Sequence, residues 1–142
     1  MNILHKSIID FLNKNQIATI CFTNELHQPY CINCFYAFSE DSVTLIFKSS
    51  YGTSHDTYIK NNTPVAGTII SNRIHLTKLQ GIQFTGKLLD EHEINNKRLN
   101  FSYIKKIPLS ITIPGYFWGV TLEYIKFTDN TLGIGNKTTW NK

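Results

Sequence analysis

The chain has 142 residues, 42% of them hydrophobic and 13% aromatic, and a formal charge of +4 from 14 Lys+Arg against 10 Asp+Glu. Such a length suits one domain spanning 1–142 with its own core, and the composition excludes a disordered chain. No run approaches the ~20 apolar residues of a membrane span, Lys6 and Asp10 interrupt the N-terminus, which has no small-residue cleavage site, and the odd count of three cysteines fits a reducing compartment. The expected location is the cytoplasm.

Residues 2–15 read as an amphipathic helix capped by Asn2, with Leu4, Ile8, Phe11 and Leu12 on one stripe and Asn15 as a left-handed terminator. Three β-rich runs follow, 17–23, 30–38 and 43–48, joined by turns at His27-Gln28-Pro29 and 39–42, which predicts an antiparallel meander. The loop 48–52 leads into a second predicted helix over 54–61. Thr53 and Asp56 have the spacing of a capping box there, and Pro64 enforces the exit. Strands 65–70 and 79–89 flank a loop holding Asn72, Arg73 and His75. A third helix of low amphipathicity over 91–107 stops at Pro108, Pro108 and Pro114 bracket a connector, and 116–127 forms the last long strand. Six short strands with few helices cannot bury their apolar faces as one flat sheet, so closure into a barrel is expected.

Beyond Phe127 the chain enters turn formers with spaced glycines. Gly133 and Gly135 suit positive φ and close approach of main chain to a ligand or neighbour, so this tail is expected to pack against something. No local core position requires Trp140, which makes it a candidate ligand or interface contact.

The segment 48–55 is the best local candidate for an anion site. A strand delivers Lys48 and the hydroxyls of Ser49, Ser50, Thr53 and Ser54 to the start of a predicted helix, whose first turn exposes N–H groups, and His55 is a second source of charge. The alternative is an ordinary capped helix after a polar loop. Cys31-Ile32-Asn33-Cys34 is a CxxC, but positions three apart on a strand face opposite sides, and no second ligand pair completes a zinc site. Buried structural cysteines are the simpler expectation. The histidines lack a partner at telling spacing, and neither GxSxG nor HExxH occurs.

The wording KFTDNTLGIGNK at 126–137 resembles the end of the YhbP-like (UPF0306) proteins, a branch of the FMN-binding split-barrel superfamily related to pyridoxamine-phosphate oxidase. The rest of the chain matches that pattern in order: Ala18-Thr19, Gln28-Pro29, the loop Ser49-Ser50-Tyr51-Gly52-Thr53-Ser54-His55, and Asn62-Thr63-Pro64-Val65-Ala66. The resemblance implies a mainly β fold, a six-stranded antiparallel split barrel with peripheral helices. It also implies a homodimer with two flavin sites along the interface. By the same resemblance Asn33, Cys34 and Phe35 lie along the flavin ring. Lys48, Ser49, Ser50, Thr53, Ser54 and His55 hold the ribityl chain and phosphate, and Gln83 adds a polar contact. Relatives commonly carry Arg or Lys at the positions of Ser54 and His55, so this chain departs from the pattern, and weak FMN binding is expected unless Lys48 compensates.

The leading expectation is an FMN-binding protein acting as a flavin-dependent oxidoreductase on a small molecule. The alternative is a non-enzymatic carrier or sensor of flavin, haem or another planar ligand, with His55 or His75 as the available haem ligands. A single-stranded nucleic-acid binder ranks last, since basic residues do not alternate with exposed aromatics.

Overall fold

The computed structural model describes residues 2–50 and 60–142. In chain order the elements are helix α1 (Lys6–Lys14), strands β1 (Ile17–Thr23), β2 (Pro29–Ser39), β3 (Thr44–Ser49), β4 (Pro64–Ile70) and β5 (Gln80–Leu89), helices α2 (Glu91–Asn96) and α3 (Asn100–Lys106), and strands β6 (Tyr116–Asp129) and β7 (Lys137–Asn141). Short 3₁₀ turns lie at Pro108–Thr112 and Asn130–Leu132.

Neighbouring strands pair in the order β3-β2-β1-β4-β5-β6-β7, and β3 also pairs with β6. That last ladder closes a six-stranded antiparallel barrel, the expected split barrel, and leaves β7 as an extra strand. Closure is possible because β6 is long enough to serve two partners along one edge. Its first half pairs with β3, from Ser49↔Tyr116 to Thr44↔Thr121, and its second half with β7, from Tyr124↔Asn141 to Thr128↔Lys137. The β5–β6 register slips between Thr85 and Gly86, where β6 changes partners. A bulge of this kind bends a strand and raises its twist.

Alternation along the strands fills the barrel. Ile20, Phe22, Leu45, Phe47, Ile69, Ile82, Phe84, Leu122 and Ile125 form the main core, and α1 plugs it with Ile8, Phe11 and Leu12. A smaller cluster of Ala37, Ile46, Leu89, Ile94, Leu99 and Tyr103 packs α2 and α3 onto the outside of β2, β3 and β6. Thus β3 is buried on both faces. Among the described residues no helix is long and apolar enough to cross a membrane.

Several local expectations are corrected. His5, not Asn2, caps α1, its Nδ1 accepting from the Ser7 N–H. Asn15 has extended backbone (φ −94°, ψ 163°) and is buried. Its side chain donates to the Phe11 carbonyl at 2.9 Å and accepts from the Asn72 N–H at 3.1 Å, so hydrogen bonding rather than a left-handed residue ends the helix. The helix expected over 91–107 breaks in two at Arg98, which takes φ 55° while the Leu99 N–H donates to the Ile94 carbonyl at 2.9 Å. This is a left-handed helix end followed by a fresh start, which lets each short helix present a single apolar side. The helix expected over 54–61 falls largely on residues outside those described, and Asn61 and Asn62 lie in a turn before β4.

The tail does pack, on its own barrel. Gly133 (φ 123°) and Gly135 (φ 84°) supply the turn that sends β7 back along β6, and a Cβ at either would meet nothing within 4 Å. Close approach therefore does not explain these glycines, and the turn geometry does. Trp140 is only 5% exposed within the main core, and its indole N–H donates to the Asn2 carbonyl at 2.9 Å. The chain ends are tied together there, because the Asn2 side chain also donates to the Asn141 carbonyl at 3.1 Å.

Candidate functional site

The β2–β3 ladder is short, running only from Ser39↔Thr44 to Tyr36↔Phe47. Beyond it the two strands separate. β2 continues toward Pro29 with β1 as its partner, and β3 continues to Ser49 with β6. The gap is a cleft of about 410 Å³, flanked by Asn33, Cys34 and Phe35 of β2 and by Lys48, Ser49 and Ser50 at the end of β3. Tyr103 and Ile107 and the turn after α3, through Leu109, Ser110, Ile113 and Pro114, complete the wall. A shallower groove of about 280 Å³ adjoins it, sharing Phe35, Ile107 and Leu109 and adding Gln16, Lys106 and Pro108.

Each wall has a local cause. Lys48 pairs with Phe117 across the β3–β6 ladder, which sets its ammonium 4.9 Å from the centre of that ring while it donates to the Ser110 carbonyl at 2.7 Å. An ammonium has three donors, so this bond to Ser110 fixes the group without exhausting it. Gly115 permits the tight join between the connector and β3, since a Cβ there would stand 2.3 Å from the Ser49 carbonyl oxygen. Ser49 is buried and Ser50 exposed. Ser110 is 2% exposed, and its hydroxyl has no hydrogen-bond partner among the described residues.

On the β2 side, Asn33 Oδ1 accepts from Thr19 Oγ1 at 2.6 Å, which turns the amide nitrogen away from β1. Phe35 is 52% exposed. Burial pushes the Cys34 thiol up to about 12, so it stays protonated and uncharged at neutral pH. The Tyr103 hydroxyl is shifted upward by burial and, secondarily, by Cys34. Lys106 donates to the Asn15 carbonyl at 2.8 Å and lies 4.6 Å from the centre of the Tyr36 ring, with burial holding its ammonium below the usual lysine range.

Two predicted contacts are not on this cleft. Gln83 is exposed on β5, reached from Asn33 through Thr19 and Thr68 along successive register pairs. At the usual strand spacing that places it roughly 14 Å away on the outer face. Trp140, expected as a ligand or interface contact, is a core residue, because the unforeseen strand β7 provides the core position it occupies. Thr53, Ser54 and His55 lie outside the described residues.

The cysteines divide. Cys34 packs against the main core and lines the cleft, whereas Cys31 is exposed on the opposite face, so the expectation of buried structural cysteines fails there. Among the described residues no group of three His, Cys, Asp or Glu is placed to hold a metal ion. From sequence, Tyr103, Lys106 and the 107–114 wall read only as helix and connector. The available signal was the apolar spacing Leu109, Ile111, Ile113 between two prolines, unusual for a plain linker.

No family model matches the chain. A UPF0306 protein of Photorhabdus laumondii is 33% identical over 132 residues, covering 93% of this chain and 92% of the relative. YhbP of Salmonella schwarzengrund is 32% identical over 130 residues, covering 92% and 88%. Among solved structures, a heme binding protein from Mycobacterium smegmatis superposes with a TM-score of 0.73 at 9% identity, over 92% of this chain and 55% of that one. An FAD binding protein from the same organism gives 0.68 at 15% identity, over 90% and 97%. Those structural matches establish the shared barrel, and the curated sequence matches establish the lineage: this chain belongs to the UPF0306 (YhbP) family.

Proposed function

We propose that the cleft between β2 and β3 binds FMN, and that the protein is a flavin-dependent oxidoreductase acting on a small molecule. The observation that carries this is the joining, in one cleft, of an apolar-walled slot from β2 and α3 with a cationic, hydroxyl-rich end from β3. The volume of about 410 Å³ lies within the ~300–1,000 Å³ usual for cofactor and ligand sites. The fold is one that solved FAD- and heme-binding proteins also use.

The residues fit a flavin in kind. Phe35, Tyr103 and Ile107 offer flat apolar surface that excludes water from a ring. With its oxygen engaged by Thr19, Asn33 has N–H donors for a polar ring edge. The buried Ser110 hydroxyl is a polar group for which a ligand would supply the missing partner. Lys48 supplies fixed charge for a phosphate at the Ser49–Ser50 end, and the contacts expected of Thr53, Ser54 and His55 lie outside the described residues. Bound flavin would contribute hydride or electron exchange. The neutral Cys34 thiol serves as wall and not as a nucleophile. Haem is the weaker fit, since no histidine lines the described walls of this cleft.

The rim of the cleft exposes Phe35, Leu109 and Ile113, and Ile17, the register partner of Phe35 on β1, is exposed beside it. A second copy closing over this rim would complete the site, and such a dimer should bury ~1,000 Å² or more in total. Trp140 no longer supports that dimer, since its apolar partners are in its own core.

The test is an absorption spectrum of native protein followed by titration with FMN, riboflavin and haem. Lys48→Ala is expected to weaken FMN about 10- to 100-fold, from the ~1.5–3 kcal/mol of a charge-assisted contact, and to spare riboflavin, which has no phosphate. Equal losses for both flavins, or haem binding tighter than FMN, would overturn the assignment. Should His55 supply the second charge, FMN affinity also falls as pH rises through the histidine range. Sedimentation at micromolar concentration decides the dimer, and a monomer throughout would refute it.

A further inference from the structure

Cys21 and Cys31 are direct partners in the β1–β2 ladder, and their Sγ atoms are 2.7 Å apart. A formed disulfide is about 2.05 Å long, so the sulfurs need only a fraction of an ångström to meet. They lie on the outer face of the barrel, Cys31 exposed and Cys21 partly buried, whereas Cys34 belongs to the opposite side of β2 and packs against the core. The nearest positions that share their face on β1, β2 and β4 are Thr19, Thr23, Pro29, Asn33, Ala66 and Thr68, none of them charged. The other thiol is therefore the only titratable group facing each of them from these strands.

We propose that Cys21 and Cys31 form a reversible intrachain dithiol–disulfide couple, on the same face of β2 as the cleft residue Asn33 but not themselves among the residues that line the cleft. Its oxidant is a small-molecule disulfide, RSSR. The exposed Cys31, as thiolate, attacks one sulfur, forming a mixed disulfide and expelling RS⁻, which takes up a proton. Cys21, also as thiolate, then attacks Cys31 Sγ, forming the Cys21–Cys31 bond and expelling the second RS⁻. Two protein thiols thus lose two electrons and two protons, and RSSR gains both to become two RSH. Cross-strand opposition brings Cys21 to its target without backbone movement, which makes ring closure the favoured fate of the mixed disulfide.

Burial and the neighbouring Cys31 push the Cys21 thiol up to about 11. Closure through its thiolate should therefore be slow at neutral pH and quicken about tenfold per pH unit below that value. Cys21 is thus poised by its proximity to Cys31 and not by its own acidity.

The experiment treats the purified full chain with glutathione disulfide and follows free thiols and intact mass. The wild type is expected to lose two of its three thiols, with no glutathione retained and peptide mapping linking Cys21 to Cys31. Cys21→Ser is expected to hold glutathione stably on Cys31, because the resolving thiol is gone. Three surviving thiols, a wild-type adduct on Cys31 that stays as persistent as that in Cys21→Ser even at about pH 9, where closure should be faster than at neutrality, or a bond between chains would each overturn the proposal. Should the serine variant fail to fold, Cys21→Ala gives the same readout, and the wild-type map decides by itself.

Discussion

On one side of the barrel β4 and β5 pair along seven successive positions and β5 pairs with β6 at all ten of its residues, across a single bulge, sealing the core with backbone ladders. On the other side β2 and β3 share four register pairs and then part, and short helices with a proline-bracketed turn take over the wall. The difference teaches where a small barrel places a cavity. A ladder leaves no gap between its strands, because each residue's donors and acceptors fix a spacing of about 4.8 Å. Side chains from α3 and the turn after it set a wider spacing, so the cleft opens where hydrogen-bonded closure gives way to packing.

The hardest blow to this contrast should fall on the sealed side. Phe84→Ala and Trp140→Ala each remove a nearly fully buried ring and should cost ~3–5 kcal/mol in denaturant unfolding. Molecules that remain folded should keep their flavin affinity. Loss of affinity at unchanged stability in Trp140→Ala would instead restore that residue to a ligand site.

Gly115→Ala should be milder for stability and harsher for the site. Its methyl group would crowd the Ser49 carbonyl, for an overpacking cost of ~1–3 kcal/mol. The displaced end of β3 should weaken FMN more than the stability loss alone explains. Unaltered FMN binding would mean that the phosphate end lies elsewhere.

Ser110→Ala separates the free and bound states more finely. The hydroxyl is buried without a partner among the described residues, so its removal should leave the flavin-free protein within ~0.5 kcal/mol of wild type or make it slightly more stable. Flavin affinity should fall severalfold. A clear loss of stability in the flavin-free protein would show that the hydroxyl already has a structural partner.

The smallest effect under ordinary conditions comes from Cys34, because it is felt only in alkali. Its thiol stands at about 12 in the folded chain against 9.0 for an unperturbed thiol. Between those values the unfolded chain has lost this proton and the folded chain keeps it. The contribution is therefore full below the unfolded value and is lost as pH rises toward the folded one. Denaturation midpoints at about pH 8 and about pH 10.5 should differ less in Cys34→Ala than in wild type. An identical alkaline loss in both would remove Cys34 as its source.

Much of this molecule was determined by the sequence itself. Alternating β-branched and aromatic runs with tight turns specify the barrel strands, since a strand buried on one face needs period-two patterning whatever its neighbours do. Pro108 ends α3, and Gly133 and Gly135 mark a turn, because backbone restriction and freedom are local properties. Lys48, Ser49 and Ser50 could be grouped for the same reason, being contiguous.

The tertiary structure decided what depends on distant partners. Strand β7 is five polar or aromatic residues with little pattern of their own, and it exists because β6 has a free edge after β3 ends. That edge turned Trp140 from an apparent outlier into core. The left-handed Arg98, a long cationic residue with no intrinsic preference for positive φ, is imposed by two short helices that each need an apolar side against the sheet. The meeting of Cys21 with Cys31, ten positions apart, and of Lys48 with Ser110, sixty-two apart, follows from register and packing. Local chemistry chooses the elements, while the partner a side chain meets is set by which strands share a ladder and where that ladder stops.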